Sequence, residues 1–488
     1  MRLEFARLFA AVSALTLSAT AGAQIPSPTI EGPITGPGDP FVASTGFDLA
    51  KVGYEEAEYF ISGSASAYTN TAPLGADGMW SAARNGATAA YKTRLLVYRP
   101  TNPRKFNGTV IVEWLNVSGG LDAAPDWSAG HLELLREGCA YVGVSAQIVG
   151  VEGGTALVGI VSLPLKTVNP ERYGTLSHPG DSFSYDMYSQ AGQAIRQPSG
   201  PSPLGDLKVK RVIAIGESQS AFRMVTYINA VHPTAHVFDG FLVHSRGGAF
   251  GAPLSEGPQT LINTPAATHI RGDVDVPVLT FQTETDLTLL GYFVARQDDA
   301  KNFRLWEVAG TAHADSYSLS VGNSDLGNDP NVAGPVITTD PVPGIIHCDT
   351  PVNSGPQHYV LNAAFAALIR WVRTGKAPKT APRLDVSAGP PVVINKDANG
   401  NALGGVRTPQ VDVPIATFTG TQSGALICQL FGTTTLFDAA KLASLYPTHK
   451  AFTSAYGKAL KRALKAGWLV KPDAKLIKKW AVDSSIGG

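Results

Sequence analysis

Residues 216–220 read Gly-Glu-Ser-Gln-Ser, and this stretch decides the fold. The β-branched run 212–215 (Val-Ile-Ala-Ile) precedes it, and the residues that follow have the composition of a helix. A strand, a sharp turn and a helix with a serine at the apex make a nucleophile elbow, in which the serine backbone is strained. The strand and the helix cross closely there, so the residues two before and two after the serine must be small. Gly216 and Ser220 meet that demand, although glycine is usual at the second position. We therefore predict Ser218 as a nucleophile.

Two later strands are each followed by a candidate partner for this serine. A serine hydroxyl needs a base to take its proton, and the base needs an acid to orient it. In this type of fold the chain order is serine, acid, histidine, each after its own strand. The predicted strand 276–281 precedes Glu284 and Asp286, and the predicted strand 303–308 precedes His313. We predict His313 as the base and Asp286 as the acid. Glu284 remains the alternative acid, because its longer side chain could serve the same role.

An oxyanion hole requires two backbone N–H donors that face the developing negative charge. The first is predicted to be the N–H of Gln219, at the start of the elbow helix, where the helix dipole also favours an anion. The second is expected in the loop after the predicted strand 108–114, which reads Leu-Asn-Val-Ser-Gly-Gly. Asn116 and Val117 are the two candidates in that loop.

Short apolar strands alternate with helices from about residue 93 onward. That alternation predicts a mainly parallel central sheet covered by helices on both faces. Together with the serine elbow, it indicates the α/β-hydrolase fold. We expect residues 24–375 to form this core, with an N-terminal arm and inserted loops. The Gly-, Pro- and Ser-rich segment 146–183 lies where lid or pocket elements are common. Residues 376–488 are predicted to be a C-terminal extension packed on the core, with two helices, at about 436–446 and 450–466, near its end.

The first residues have the pattern of an export signal. Arg2 and Arg7 give a positive start, residues 8–19 are apolar, and small residues at 21–23 fit a signal-peptidase site. We therefore expect residues 1–23 to be a signal peptide and the protein to be periplasmic or secreted. The apolar stretch is too short for a membrane span, and no later segment approaches about 20 continuous apolar residues.

The chain has three cysteines, Cys139, Cys348 and Cys428. Cys139 leads directly into a predicted buried strand and is expected to be a core thiol. The other two lie in loop-rich sequence after His313. In an oxidising compartment they are predicted to form a disulfide that ties the C-terminal extension to the core, with three unpaired thiols as the alternative.

Composition and charge narrow the classes of partner. There are 39 basic and 39 acidic residues and no basic stripe, which argues against nucleic acid. The 44% hydrophobic content supports a large core. The sequence has no C-x-x-C pair and no H-E-x-x-H, so we predict no metal and no cofactor. It does not indicate an oligomeric state.

Three motifs give a family resemblance, at 216–221 (Gly-Glu-Ser-Gln-Ser-Ala), 172–181 (Arg-Tyr-Gly-Thr-Leu-Ser-His-Pro-Gly-Asp) and 428–432 (Cys-Gln-Leu-Phe-Gly). The chain resembles secreted bacterial proteins known as alpha/beta hydrolase domain proteins, and its Gly-Glu-Ser is similar to that of carboxylesterases. The resemblance implies an α/β-hydrolase fold and ester hydrolysis. The stretch 172–181 is expected either to border the pocket or to serve turns and caps.

These residues predict a secreted serine hydrolase that cleaves a small-molecule carboxylic ester through an acyl-enzyme. An acyltransferase or an amidase would use the same three residues. A catalytically silent binding protein on this scaffold is the alternative from another class. Arg246, after the predicted strand 240–243, is a candidate for binding a substrate carboxylate, with an internal salt bridge as the competing interpretation.

Overall fold

The computed structural model describes residues 25–159, 161–248, 251–387 and 389–488. The predicted signal peptide lies outside the described residues. No helix in this part of the chain is both long enough and apolar enough to cross a membrane.

Within the described residues, nine strands form the main sheet, in the spatial order β1-β2-β3-β5-β4-β6-β7-β8-β9. Their bounds are β1 (Thr29–Glu31), β2 (Tyr54–Asn70), β3 (Ala82–Pro100), β4 (Thr109–Trp114), β5 (Ala140–Val144), β6 (Arg211–Glu217), β7 (Gly240–His244), β8 (Val278–Gln282) and β9 (Phe303–Glu307). The six strands from β5 to β9 in this order are parallel. The first three strands and their junction with β5 are antiparallel. The mainly parallel sheet of the predicted fold is therefore confirmed.

Helices cover both faces of the sheet. Their bounds are α1 (Pro125–Glu137), α2 (Ile148–Val151), α3 (Leu165–Val168), α4 (Pro170–Tyr173), α5 (Ser184–Arg196), α6 (Gln219–Thr226), α7 (His232–Ala235), α8 (Glu284–Thr288), α9 (Gln357–Thr374), α10 (Pro409–Asp412), α11 (Leu426–Gln429), α12 (Ala439–Leu445), α13 (His449–Ala466) and α14 (Lys471–Asp483). Within β6, Val212 and Ala214 join the hydrophobic core on the side of α5 and α6. Ile213 and Ile215 join the core on the side of α1 and α9. This alternation explains why residues 212–215 of β6 are all apolar and buried.

The C-terminal residues differ from the sequence-based expectation in one element. Two helices were predicted at about 436–446 and 450–466, and they are present as α12 and α13. A third helix, α14, follows them, because its apolar residues such as Ile477 complete a separate small core with α13. The same core includes Tyr359 of α9, so the extension packs against a helix of the main sheet.

Two short antiparallel hairpins precede these helices. They are β10 (Val386–Ser387) with β11 (Val393–Ile394) and β12 (Ala416–Thr419) with β13 (Thr433–Leu436). Between β12 and β13 lies Cys428, whose sulfur is 2.03 Å from that of Cys348, at disulfide distance. Cys139 is a buried free thiol whose pKa burial raises to about 12.

Candidate active site

Ser218 lies at the apex of a tight turn between β6 and α6. Its backbone has φ 56° and ψ −120°, in the left-handed region that residues other than glycine rarely adopt. The Ser218 N–H donates to the carbonyl of His244, 3.0 Å away, which anchors the turn to β7. A Cβ atom on Gly216 would lie 2.9 Å from the Ser220 carbonyl oxygen, so only glycine fits there. The strain at Ser218 is thus held in place by the crossing of strand and helix.

His313 contacts Ser218 on one side and Asp286 on the other. Its Nε2 lies 2.8 Å from Ser218 Oγ, and its Nδ1 lies 2.7 Å from Asp286 Oδ1. Burial alone would lower the pKa of His313, but the hydrogen bond and charge of Asp286, with the charge of Glu217, raise it above the usual value. The three residues predicted from their order in the sequence and their positions after strands are therefore joined by hydrogen bonds.

The other oxygen of Asp286 is fixed by the start of α8. Asp286 Oδ2 accepts from the Thr283 N–H at 2.7 Å, within a reciprocal capping box. Burial would raise the pKa of Asp286, but the bonds to His313 and Thr283 lower it overall. Asp286 is therefore held as a carboxylate, with Oδ1 directed at the imidazole.

The alternative acid, Glu284, has a different set of partners. Its carboxylate accepts from the Gly310 N–H at 2.6 Å and from the Gly420 N–H at 3.1 Å. Burial raises its pKa to about 7, although both N–H donors oppose that shift. The structure thus brings Asp286 to His313 and uses Glu284 to join the loop after β9 to the C-terminal extension.

The two predicted oxyanion-loop residues are distinguished by their hydrogen bonds. The Asn116 N–H donates to the Ala123 carbonyl at 2.9 Å, so this donor is already engaged. The Asn116 side-chain Nδ2 donates to Glu217, at 3.1 Å to the carbonyl and 3.2 Å to Oε2. Val117 is the candidate that remains in this loop. Gln219 is the first residue of α6, where backbone N–H groups have no partner inside the helix.

Glu217, which precedes the candidate nucleophile, is also part of the site. Its Oε1 lies 3.5 Å from His313 Nε2, and the side chain is 9% exposed. Burial raises its pKa to about 7, and the neighbouring His313 and His244 partly oppose that shift. The sequence predictions included Glu217 only as part of the motif 216–220. Its position next to Ser218 in the sequence indicates that it lies in the site.

A second histidine–aspartate pair lies beside the first. His244, the last residue of β7, has its Nδ1 2.7 Å from Asp126 Oδ1. Its Nε2 lies 3.3 Å from Gln357 Nε2, at the start of α9. Gln357 also donates a long hydrogen bond, 3.5 Å, to the carbonyl of His313. This pair was not predicted from the sequence, although His244 ends the strand that follows the elbow.

A cavity of about 470 Å³ opens over Ser218 and His313. Its walls are mainly apolar, and three of the segments that form them each supply a pair of aliphatic residues. The residues that represent these segments are Leu157 and Val158, Leu289 and Leu290, and Ile427 and Leu430. The first two lie in the segment 146–183, where the sequence predicted a pocket element. The size is in the range of small-molecule sites.

Two further sequence candidates lie away from this cavity. The Arg246 guanidinium donates to the carbonyl oxygens of Gly247 and Thr268 and lies 5.2 Å from the centre of the Tyr292 ring. Arg172 binds Glu58 at 2.6 Å and backbone carbonyls of the N-terminal arm. Arg246 therefore binds carbonyl oxygens inside the protein and forms no salt bridge with any described residue. Arg172 holds the N-terminal arm in place.

This topology, with a strained serine elbow and a His–Asp pair at the carboxyl edge of the sheet, defines an α/β hydrolase. The family model described as "Alpha/beta hydrolase domain" matches residues 30–479. The chain therefore belongs to the alpha/beta hydrolase domain family. No curated protein matches the chain.

Several solved esterase and hydrolase structures are similar to the chain at low sequence identity. Acetyl xylan esterase 1 from Thermoanaerobacterium sp. is 11% identical over 45% of this chain and 53% of its own length, with a TM-score of 0.24. A serine hydrolase without a lid from Xanthomonas campestris is 12% identical over 51% and 86%, with a TM-score of 0.28. A glucuronoyl esterase from Solibacter usitatus is 12% identical over 50% and 68%, with a TM-score of 0.25.

Proposed function

We propose that the protein is a serine hydrolase that cleaves carboxylic esters through an acyl-enzyme. One observation carries this proposal: Ser218 Oγ and Asp286 Oδ1 lie at hydrogen-bond distance from opposite nitrogens of His313, 2.8 Å and 2.7 Å away. This is the arrangement in which a base activates a serine and an acid fixes its tautomer.

In the acylation step, Ser218 Oγ attacks the ester carbonyl carbon while His313 Nε2 takes the hydroxyl proton. The charge on the carbonyl oxygen is stabilised by the Gln219 N–H and, in this proposal, by the Val117 N–H. The C–O bond to the alcohol then breaks, and His313 returns the proton to the leaving oxygen. Asp286 stabilises the imidazolium throughout and stays a carboxylate, which agrees with its lowered pKa.

Deacylation uses the same groups with water in place of the alcohol. His313 takes a proton from water, the hydroxyl attacks the acyl carbon, and the bond to Ser218 Oγ breaks as His313 returns the proton to it. The free carboxylic acid leaves. An acyltransferase would differ only in using another alcohol as acceptor, and an amidase only in its leaving group.

The proposal is tested by covalent labelling. A fluorophosphonate probe should label the protein once, and peptide mapping should place the label on Ser218. Ser218→Ala should lose labelling and p-nitrophenyl ester hydrolysis while keeping its thermal unfolding midpoint. Ser220→Ala, a change in the same turn, serves as the matched control and should still be labelled. Labelling of Ser218→Ala, or no ester cleavage by the wild type, would refute the function.

Acyl transfer and amide cleavage are separated from ester hydrolysis with the same preparation. The ratio of new ester to free acid, formed from a p-nitrophenyl ester in the presence of small alcohols, measures acyl transfer. Cleavage of p-nitroanilides measures amidase activity. We expect hydrolysis to dominate and anilide cleavage to be far slower.

Export to an oxidising compartment is part of the proposal. The Cys348–Cys428 distance and the charged, then apolar, start of the sequence support it. Fractionation followed by N-terminal sequencing should find the mature chain outside the cytoplasm, beginning at Gln24. A cytoplasmic protein that begins at Met1 would overturn this part.

A further inference from the structure

The charges around the cavity bear on which esters would fit, an inference that rests on the proposed function. None of the described residues that line the cavity is Lys or Arg. Acidic groups lie there instead. Glu217 lines the cavity, and the two lining histidines, His244 and His313, are paired with Asp126 and Asp286. A substrate carboxylate in this space would be desolvated with no cation to pair with, which costs several kcal/mol.

Arg246 offers no such cation. Its side chain is 2% exposed, and its donors are bound to the carbonyl oxygens of Gly247 and Thr268. Turning it into the cavity would break these bonds and its contact with the Tyr292 ring. Among the described residues, the cavity therefore offers no lysine or arginine to pair with an anion.

The mouth of the cavity is apolar and exposed. Leu157 is 70% exposed, Leu426 is 64% exposed and Leu289 is 43% exposed, yet all three line the same cavity. Exposed apolar side chains gathered at one opening mark a ligand groove rather than ordinary surface. They come from three different segments, so a ligand that enters contacts all three.

We infer that the protein acts on uncharged esters whose acyl or alcohol group is apolar, and that it discriminates against esters bearing a carboxylate. The leucines at the mouth and the apolar walls hold the chain of the substrate, and the acidic floor excludes an anion. The polar residues that line the cavity together with Ser218 and His313 include Glu217, His244 and Gln357.

A matched substrate pair tests this inference. p-Nitrophenyl hexanoate and the mono-p-nitrophenyl ester of adipic acid have the same chain length, but the second ends in a carboxylate. We expect kcat/KM for the adipate ester to be lower by about a hundredfold, the equivalent of a few kcal/mol of unpaired charge. Similar kcat/KM values for the two esters would overturn the inference.

Variants at the mouth provide an internal check. Leu426→Lys should narrow the difference in kcat/KM between the two esters. Leu436→Lys changes another exposed leucine of the same extension, one that does not line this cavity, and should leave that difference unchanged. An unchanged ratio in Leu426→Lys would also count against the inference. Labelling of Ser218 by fluorophosphonate separates the two levels: its loss refutes the function itself, whereas equal ester rates with labelling intact refute only the substrate class.

A cluster of two histidines and an aspartate lies at the amino ends of the strands, and it is independent of the inference about substrates. His232 and His236 are four residues apart around α7, which ends the helical run begun at α6. Asp275 lies just before β8, at the amino end of that strand. Ser218 lies at the carboxyl ends of the strands, so the length of the strands separates the cluster from the candidate active site.

The spacing of the three side chains fits a metal ion. His232 Nε2 lies 3.0 Å from Asp275 Oδ1, and His236 Nδ1 lies 3.4 Å from Asp275 Oδ2. One ligand atom from each residue lies within 4.8 Å of the others. Tetrahedral zinc with bonds of about 2.0–2.1 Å holds its ligand atoms about 3.3 Å apart.

We propose that His232, His236 and Asp275 bind one divalent transition-metal ion of the zinc type, with water completing the coordination. This departs from the expectation of no metal drawn from the sequence. Bound there, the ion would join the end of the helical run to the segment that enters β8.

Titration of the chelator-treated full-length protein with zinc tests this site. We expect saturable one-to-one binding by calorimetry and a higher unfolding temperature with zinc. His236→Ala changes an exposed ligand and should weaken binding by at least about tenfold. His347→Ala is the matched control, because His347 forms an exposed pair with Asp340, 2.7 Å apart, and is not part of the cluster. Binding that is absent, or unchanged in His236→Ala, would overturn the proposal.

Discussion

The two histidine–aspartate pairs of the site have the same internal geometry but different surroundings. In both, Nδ1 lies 2.7 Å from an aspartate Oδ1, and both rings are buried at the carboxyl edge of the sheet. At the opposite nitrogen, His313 meets Ser218 Oγ at 2.8 Å, whereas His244 meets Gln357 at 3.3 Å. A histidine–aspartate pair is therefore not by itself a sign of a catalytic base. The group at Nε2 decides what the imidazole can do.

The largest expected effect separates the two histidines. His313→Ala should lower kcat for p-nitrophenyl esters by about a millionfold, as removal of a triad base does elsewhere. His244→Ala should lower kcat far less, because its Nε2 has no contact with the Ser218 hydroxyl. Single-turnover assays on variants with unchanged unfolding midpoints give the comparison. Equal losses in the two variants would show that the pairs act together.

The acids provide the next contrast. Asp286→Asn should lower kcat by about ten-thousandfold, because an amide there favours the wrong tautomer of the imidazole. Asp126→Asn, the matching change in the second pair, should have a much smaller effect on kcat. Glu284→Gln should mainly lower the unfolding temperature. If Glu284→Gln lost more activity than Asp286→Asn, the assignment of the acid would be wrong.

A smaller effect is expected from Glu217, whose carboxylate lies 3.5 Å from His313 Nε2. The base acts only when neutral, and Asp286 and Glu217 raise the pKa of His313, so activity should fall as pH decreases through a midpoint above about 6.5. Glu217→Gln removes one of these charges and should move the midpoint to lower pH by about one unit. A pH profile of kcat/KM measures it. A midpoint that stays in place would mean that Glu217 does not act on His313.

The smallest effect on turnover is expected from the disulfide. Replacing Cys348 and Cys428 together by serine should leave the pH midpoint unchanged, since neither residue contacts either histidine pair. The free energy of unfolding should fall, by about 4 kcal/mol in the chain-entropy model for a loop of this length. Denaturant titration of the double variant measures the loss. A shift in the pH midpoint instead would tie this bond to the base.

The sequence was most informative where function depends on strand ends. Ser218 and His313 could be found because each follows a short apolar strand in a fixed chain order. Asp286 and Glu284 could not be separated, because their orientations depend on the Thr283 cap and on Gly310 and Gly420, which are distant in sequence.

Other features depend on long-range pairing that a sequence pattern does not encode. Asn116 and Val117 were equivalent until the bond from the Asn116 N–H to Ala123 was known. The pairing of His244 with Asp126 could not be predicted, because the two residues are 118 positions apart in the sequence. Helix α14 was missed because its apolar side matches a small core of the extension rather than the main sheet.

The hydrogen bond from the Gly420 N–H to Glu284 has a consequence for the order in which the protein matures. During synthesis, Ser218, Asp286 and His313 all leave the ribosome well before Gly420. Until Gly420 arrives, the buried carboxylate of Glu284 lacks one of its two donors, and the loop that carries Asp286 lacks that support. The reactive centre is therefore completed by the last quarter of the chain, and a nascent chain that stops short of Gly420 should remain inactive.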